Sequence, residues 1–388
     1  NMSGSVLVVA SVASMIDQFN LPSIKLLQSM GFHVSVACNF IEGNNCSAFR
    51  IERLKQELNE LGVEAIQIDF ARSPLKILKN IRAYGQLLGL MRLRNYCFVH
   101  CHSPVGGVCA RIAGYFTQTD VIYTAHGFHF YKGAPLINWI VYYPIERFLA
   151  RFTYKLITIN QEDYASAKKF LPQNTVYLPG VGVNFSVFHP VSAAEKYRKR
   201  ANLNLGLTEK DMLLVCVGEL NKNKNQIFLL ESLGKLLKVN PHAKMLLVGQ
   251  GSEETNLAKF IAENSLAENA FLLGYRTDVA DILNACDIGV SASIREGLPV
   301  NVIEYLASGL PVICSDNRGH RDLALGNPVA IFKSNDSESF FTIASEMMDG
   351  SLSYGPASNL SCFGEQNILS ALKQIYGEKI TRSCGEDR

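Results

Sequence analysis

Proline is scarce, 13 residues in 388, and tryptophan occurs once. The longest apolar runs fall well short of the ~20 residues that a membrane-spanning helix needs. Ten cysteines (Cys38, Cys46, Cys97, Cys101, Cys109, Cys216, Cys286, Cys314, Cys362 and Cys384) are spread thinly, with no CxxC pair and no dense framework. These shortages exclude a disulfide-stapled miniprotein and favour a reducing compartment. Lys plus Arg number 37 against 35 Asp plus Glu, so the net charge of +2 gives no general attraction to nucleic acid. What is abundant is apolar: 48% of residues, with 19% charged and 29 glycines, the balance of a folded chain and neither collagen-like nor disordered. At roughly 150 residues per domain the length suggests two or three domains. The opening NMSGSVLVVASVAS lacks the basic flank and cleavage pattern of a signal peptide, so a cytoplasmic, at most peripheral, protein is expected. Asn1 ahead of Met2 reads as a residue added for expression and is set aside.

Short β-rich runs alternate with helix-like stretches. The first series is VLVVA (6–10), HVSVAC (33–38), EAIQIDF (64–70), CFVHCH (97–102), VIYTAH (121–126), KLITIN (155–160) and TVYLP (175–179). A second comprises MLLVCVGE (212–219), KMLLVGQG (244–251), AFLLGY (270–275), IGVSAS (288–293), PVICSD (311–316) and VAIFK (329–333). Nearly continuous Val, Ile and Leu runs suit parallel strands covered on both faces. The Gly- and Pro-rich passage at 179–193 separates the series. The expected fold is α/β: two Rossmann-like, doubly wound domains, 1–184 and 190–355, facing across a cleft, with a C-terminal helix at about 362–388 packing back on the first. Ligands of such sheets collect at the carboxyl ends of the strands.

Chemistry concentrates in SIREGLPVNVIEYLASG, where seven residues separate Glu296 from Glu304. Pro299 suits the first turn of a helix. Glu296 would then stand in the loop before that helix and Glu304 just over a turn inside it. Amides of Val300 and Asn301 would face an anion, with Leu298 beside them. In VCVGELNKNKNQ a strand ends at Gly218 and a helix begins near Asn225, so Lys222 and Lys224 lie where cations neutralise a diphosphate. His126 directly follows a strand and precedes Gly127; a neutral imidazole there can bond a sugar hydroxyl or phosphate, with His129 the weaker candidate. Gly274, Tyr275 and Arg276 also follow a strand and can frame a nucleotide base. Ser14 and Asp17, after the first strand, are candidates for the acceptor side. The sequence has neither GxxxxGK[ST] nor a GxGxxG after the first strand, which disfavours P-loop enzymes and dehydrogenases. No four-ligand metal spacing closes around His100, His102 and the neighbouring cysteines. Between 71 and 99 six basic residues and no acidic ones are interleaved with Leu75, Ile77, Leu78, Ile81, Leu87, Leu88 and Met91. Such a segment is either an ordinary core-facing helix or a surface for anionic membrane.

The Glu296–Glu304 stretch resembles the E-x7-E signature of retaining glycosyltransferases of family 4, similar to enzymes of bacterial capsule and exopolysaccharide assembly. The resemblance implies the GT-B fold and a UDP-sugar donor. It assigns Glu296 and His126 to the sugar, Glu304 to the ribose and Lys224 to the diphosphate. It implies chemistry with no cofactor or obligatory metal, and a polyprenyl-diphosphate-linked saccharide as acceptor. Glu219 stands where that family has Arg, and Ala13, Ser14 and Met15 replace its usual Gly-Gly pair. Two alternatives are a UDP-sugar 2-epimerase of the same fold and a non-catalytic sugar-nucleotide sensor.

Overall fold

A computed structural model describes residues 4–180 and 182–383; Val181 in the linker passage and Cys384 lie outside them. The chain divides into two compact units, 1–182 with 366–388, and 183–365. The sequence had put the first division between 184 and 190 and the second between 355 and 362.

Unit 1 is built on a seven-stranded parallel sheet ordered β3-β2-β1-β4-β5-β6-β7. The strands are β1 (Ser5–Val12), β2 (His33–Asn39), β3 (Glu64–Gln67), β4 (Phe98–His102), β5 (Val121–Ala125), β6 (Lys155–Thr158) and β7 (Thr175–Tyr177). Between them run α1 (Ala13–Met15), which passes through a π-helical turn into α2 (Leu21–Ser29), then α3 (Ala48–Glu60), α4 (Ile77–Leu93), α5 (Pro104–Thr117), α6 (Leu136–Leu149) and α7 (Gln161–Phe170). Every residue of β4 and β5 is buried, because helices cover both faces. Ser47 and Asn160 cap α3 and α7 through their side-chain oxygens.

Unit 2 repeats the winding as β10-β9-β8-β11-β12-β13, also parallel throughout. Its elements in chain order are α8 (Ala193–Asn202), β8 (Met212–Val217), α9 (Gln226–Leu236), β9 (Ala243–Val248), α10 (Glu254–Glu263), β10 (Ala270–Leu272), α11 (Val279–Ala285), β11 (Ile288–Ser291), α12 (Val300–Ala307), β12 (Val312–Ser315), α13 (Arg318–Ala324), β13 (Val329–Phe332) and α14 (Ser337–Asp349). In both sheets the winding reverses beside the first strand, between β1 and β4 and between β8 and β11, and ligands bind at such reversals. All thirteen apolar runs are strands; the first two extend beyond their runs, to Ser5–Val12 and His33–Asn39, and the other eleven lose one to three residues where the chain turns away from its neighbour.

The last helix, α15 (Glu365–Ser383), belongs to unit 1 from residue 366 onward. Ile368, Leu372, Ile375 and Tyr376 join the cluster around Val6, Val8 and Phe98. The helix continues to Ser383.

Arg111 has no solvent exposure, and its guanidinium pairs bidentately with Glu146 at 2.8 and 3.2 Å and lies 4.0 Å from the Tyr123 ring. The pair ties α5 to α6. Removing one partner strands a buried charge at a cost of about 3–5 kcal/mol, whereas replacing both is far milder. Arg111→Leu is therefore expected to lose about that amount of unit 1 stability, and Arg111→Leu with Glu146→Leu to recover most of it. Urea titration followed by Trp139 emission reads unit 1 directly, because this is the chain's single tryptophan; equal loss in the single and double variants would refute the assignment.

Candidate active site

In unit 2 the loops leaving β8 and β11 are neighbours because those strands pair. Asn223 staples them. Its side chain donates to the Arg295 carbonyl at 3.1 Å and accepts from the Arg295 amide at 3.2 Å, and its carbonyl accepts from Ile294 at 2.8 Å. The next residue, Lys224, ion-pairs with Glu296. Gly218 lies beside the Lys224 stem, 3.6 Å from the place a Cβ would occupy. Gly249 and Gly251 approach the same backbone so closely that a Cβ would sit 2.0 Å from the Gly218 carbonyl oxygen and 2.2 Å from that of Leu220. The VGQG loop is thus a buttress for the β8 turn.

Helix α12 is fixed to the end of β8. The Tyr305 hydroxyl accepts from the Val217 amide at 2.7 Å, and Asn301 Nδ2 donates to the Val217 carbonyl at 2.9 Å. Tyr305 also fills the space above Gly289, where a Cβ would lie 2.4 Å from its ring. Leu298 is buried. The Pro299 carbonyl accepts from Val302 and Ile303, so the amides of Val300 and Asn301 lie ahead of the helical ladder. The Asn301 side chain is committed to Val217, while its backbone amide is the group singled out from the sequence.

The two carboxyls are tuned in opposite directions. Burial alone would raise Glu296, but the Lys224 charge, His320 and hydrogen bonds from Lys224 and Ser293 outweigh it and hold Glu296 below its ordinary value. Lys224 is likewise opposed by burial and is raised overall by Glu296, so both members stay charged at neutral pH. Glu304 is half-buried, and burial without an opposing partner pushes it up to about 7.

Sequence reasoning missed His320. Its Nδ1 lies 2.7 Å from the Ser315 carbonyl and 2.9 Å from Asn317 Nδ2, which hold the ring in place. Nε2 is buried without a hydrogen-bond partner among the described residues. Burial lowers this histidine to about 4 despite the pull of Glu296, so it is neutral. Gly319 allows the approach, since a Cβ there would meet Glu296 and Pro299 at 3.0 Å. The signal in the sequence was NRGH directly after the β12 run.

The other unit 2 candidates are less engaged. Lys222 is solvent-exposed in its turn. The Arg276 guanidinium is chelated by Asp278 at 2.7 and 2.6 Å within its own turn, which leaves the backbone groups of 274–276 as the ones that could frame a base. Gly274 accepts the Gly249 amide at 2.9 Å and serves the buttress. Glu219, at the expected Arg position, lies close enough to raise Lys224 further.

In unit 1, His126 directly follows β5. Its Nε2 lies 3.1 Å from His102 Nδ1, and burial lowers it to about 4, giving the neutral imidazole expected. His102, the partner that sequence reading left aside, is buried, and its Nε2 has no partner among the described residues. His100 spends both nitrogens, on the Tyr376 hydroxyl at 2.7 Å and on Thr124 at 2.8 Å. His129 stacks on Tyr142 with centroids 4.5 Å apart. Asp17 and Ser14 are corrected as acceptor-side groups. Arg50 grips Asp17 through two nitrogens, one at 2.9 Å, and Ser14 is buried against the 44–45 turn, accepting from Asn45 and donating its amide to Asn44 at 2.9 Å.

Two family signatures match the chain: "Glycosyl transferase 4-like domain" over residues 23–179 and "Glycosyl transferases group 1" over 198–350. EpsD of Bacillus subtilis strain 168, assigned as a glycosyltransferase, is 37% identical over 345 residues, covering 87% of this chain and 86% of that protein. An Escherichia coli protein named UDP-Gal:alpha-D-GlcNAc-diphosphoundecaprenol alpha-1,3-galactosyltransferase is 28% identical over 283 residues, 71% of this chain and 72% of its own. Among solved structures, Anabaena HepE with UDP and glucose superposes with a TM-score of 0.71 at 15% identity over 98% of this chain and 100% of that one. WaaG, a glycosyltransferase of lipopolysaccharide biosynthesis, gives 0.70 at 16%, covering 97% and 99%. The chain belongs to the family 4 glycosyltransferases of GT-B fold. It is a glycosyltransferase similar to the exopolysaccharide and lipid-linked members of that family.

A buried carboxyl raised to about 7 has a sign that can be checked. The folded protein binds the Glu304 proton more tightly than the unfolded chain, so this group's contribution to stability is full below its ordinary value of 4.5 and is lost as pH rises through about 7. Glu304→Gln, neutral throughout, is expected to gain on wild type in thermal melts between pH 5 and pH 8. Parallel melting curves across that range would contradict the shift.

Proposed function

We propose that the protein transfers a sugar from a UDP-sugar, with retention at the anomeric carbon, to a saccharide carried on polyprenyl diphosphate, in the assembly of a cell-surface polysaccharide. The observation that carries this reading is the Lys224–Glu296 pair with Glu304 on α12, all at the carboxyl edge of the unit 2 sheet beside its winding reversal. Relatives named for undecaprenol-linked acceptors, and a fold neighbour named for its complexes with UDP and UDP-glucose, support it.

In this reading the Lys224 ammonium and the leading amides of α12 take the donor diphosphate, a dense anion that needs fixed positive groups. The Glu304 carboxylate accepts hydrogen bonds from the ribose hydroxyls, contacts that favour its charged form. Glu296, kept ionised, holds sugar hydroxyls and stabilises positive charge growing at the anomeric carbon. The bond from that carbon to the β-phosphate oxygen breaks as the acceptor hydroxyl oxygen bonds to the same face. The hydroxyl proton passes to the departing phosphate oxygen, so the products are the glycoside and UDP. The residues supply positioning and charge stabilisation. His126, neutral, is read as a hydrogen-bond partner for a sugar hydroxyl or phosphate.

UDP release measured with a panel of UDP-sugars and a membrane fraction as acceptor tests the proposal. Glu296→Gln and Lys224→Met are each expected to lower turnover by roughly 10²–10³, the usual effect of removing one preorganised electrostatic group. Wild-type turnover in either variant would remove that residue from the chemistry. Appearance of an epimerised sugar without acceptor would favour the epimerase instead.

A further inference from the structure

Unit 1 holds a cavity of about 620 Å³ far more apolar than any catalytic task requires, within the ~300–1,000 Å³ range of ligand pockets. Three helices line it with successive turns of one face: Ile77, Ile81 and Tyr84 from α4, Val108, Ile112 and Phe116 from α5, and Ile145 from α6. Helical stripes of this kind normally disappear into a core. Here Ile77 is 64% exposed, and Ile81 and Phe116 are each 60% exposed. Leu75, Leu78, Leu136, Ile137 and Ile140 extend the apolar surface beyond the groove. The segment 71–99 thus divides: Ala83, Leu87 and Met91 are core, while its first turns are not.

We infer that this groove seats the isoprenoid chain of a polyprenyl diphosphate, the lipid of the acceptor. The inference rests on the acceptor class proposed above and adds a place for it. Three observations select this occupant. Three polar side chains of the lining are already engaged, Glu146 with Arg111, Asn80 with the Ala71 amide and Ser73 carbonyl, and the His129 ring on Tyr142, and the other polar side chains there are tyrosines, whose rings are apolar. A hydrocarbon asks nothing more of such walls, whereas an extended peptide would bury amides against them. The segment itself is basic, Asp120 being the only acidic residue between 71 and 145, and of its cations Lys79 and Arg82 are paired with Glu42 and Asp69. Lys76 and Lys132, both exposed, lie in the segments that form the rim, so an anionic diphosphate head is complemented and a second copy of the same surface is repelled. Finally, the wall formed by Gly127–Phe130 directly follows His126, so a chain in the groove keeps its head group near that histidine.

Farnesyl diphosphate, a short soluble isoprenoid, is the probe, and Trp139, whose ring packs 5.5 Å from that of the lining Phe130, is the reporter. Saturable change in Trp139 emission with farnesyl diphosphate, and none with inorganic pyrophosphate, is expected. Ile81→Asp, a surface substitution, and Ile112→Phe, which fills the groove, should each weaken binding at least tenfold while UDP affinity stays at the wild-type value. An equal response to pyrophosphate, no saturable response, or unchanged farnesyl diphosphate affinity in Ile81→Asp would overturn the assignment. Sugar transfer that continues in such a case would show the groove wrong and the reaction class intact; farnesyl diphosphate binding without any transfer would do the reverse.

Discussion

A cation and an anion held together beside the end of β8 set the terms for everything else in unit 2. Lys224 and Glu296 are 72 residues apart, and each would be costly to bury alone. Together they stay ionised in a half-closed place, because Asn223 locks one loop to the other one residue before the lysine. The surrounding glycines are explained by this demand. Gly249 and Gly251 let a second turn press against the first, and Gly319 lets α13 close over Glu296.

The pair also accounts for the departure at position 219. A family arginine there would add a cation beside Lys224, and this chain has Glu219. The net local charge is therefore lower, and in the proposed reading more of a diphosphate's charge would fall to the helix α12 amides and to Lys224. A diphosphate that draws on the ammonium competes with Glu296 for it, so donor binding and the state of Glu296 are coupled through one proton-bearing nitrogen.

The strands were legible because buried parallel strands are written as uninterrupted Val, Ile and Leu runs, and the place of Glu296, Lys224 and His126 at the carboxyl ends of strands was legible from those same runs. What could not be read locally was partnership. Asp17 and Arg50 are 33 positions apart, so the carboxylate looked available when it is an anchor for α3. Arg276 is the instructive opposite: Asp278 lies two residues away and was open to local reading as a chelator. Asn223 and His320 carry no apolar pattern and acquire their contacts from segments that the sheet order brings together, and His102, at the end of β4, meets His126 only because β4 and β5 pair. The exposed half of α4 shared a pattern with its buried half, and only packing told them apart.

The central claim is that Lys224 and Glu296 act on the donor as one unit. A double-mutant cycle with Lys224→Met, Glu296→Gln and the combined variant, read as UDP affinity by calorimetry, measures that directly. The account predicts strong non-additivity, with an interaction of at least ~1 kcal/mol, as for residues in one charge network. Additive losses within ~0.3–0.5 kcal/mol, the behaviour of independent sites, would contradict it.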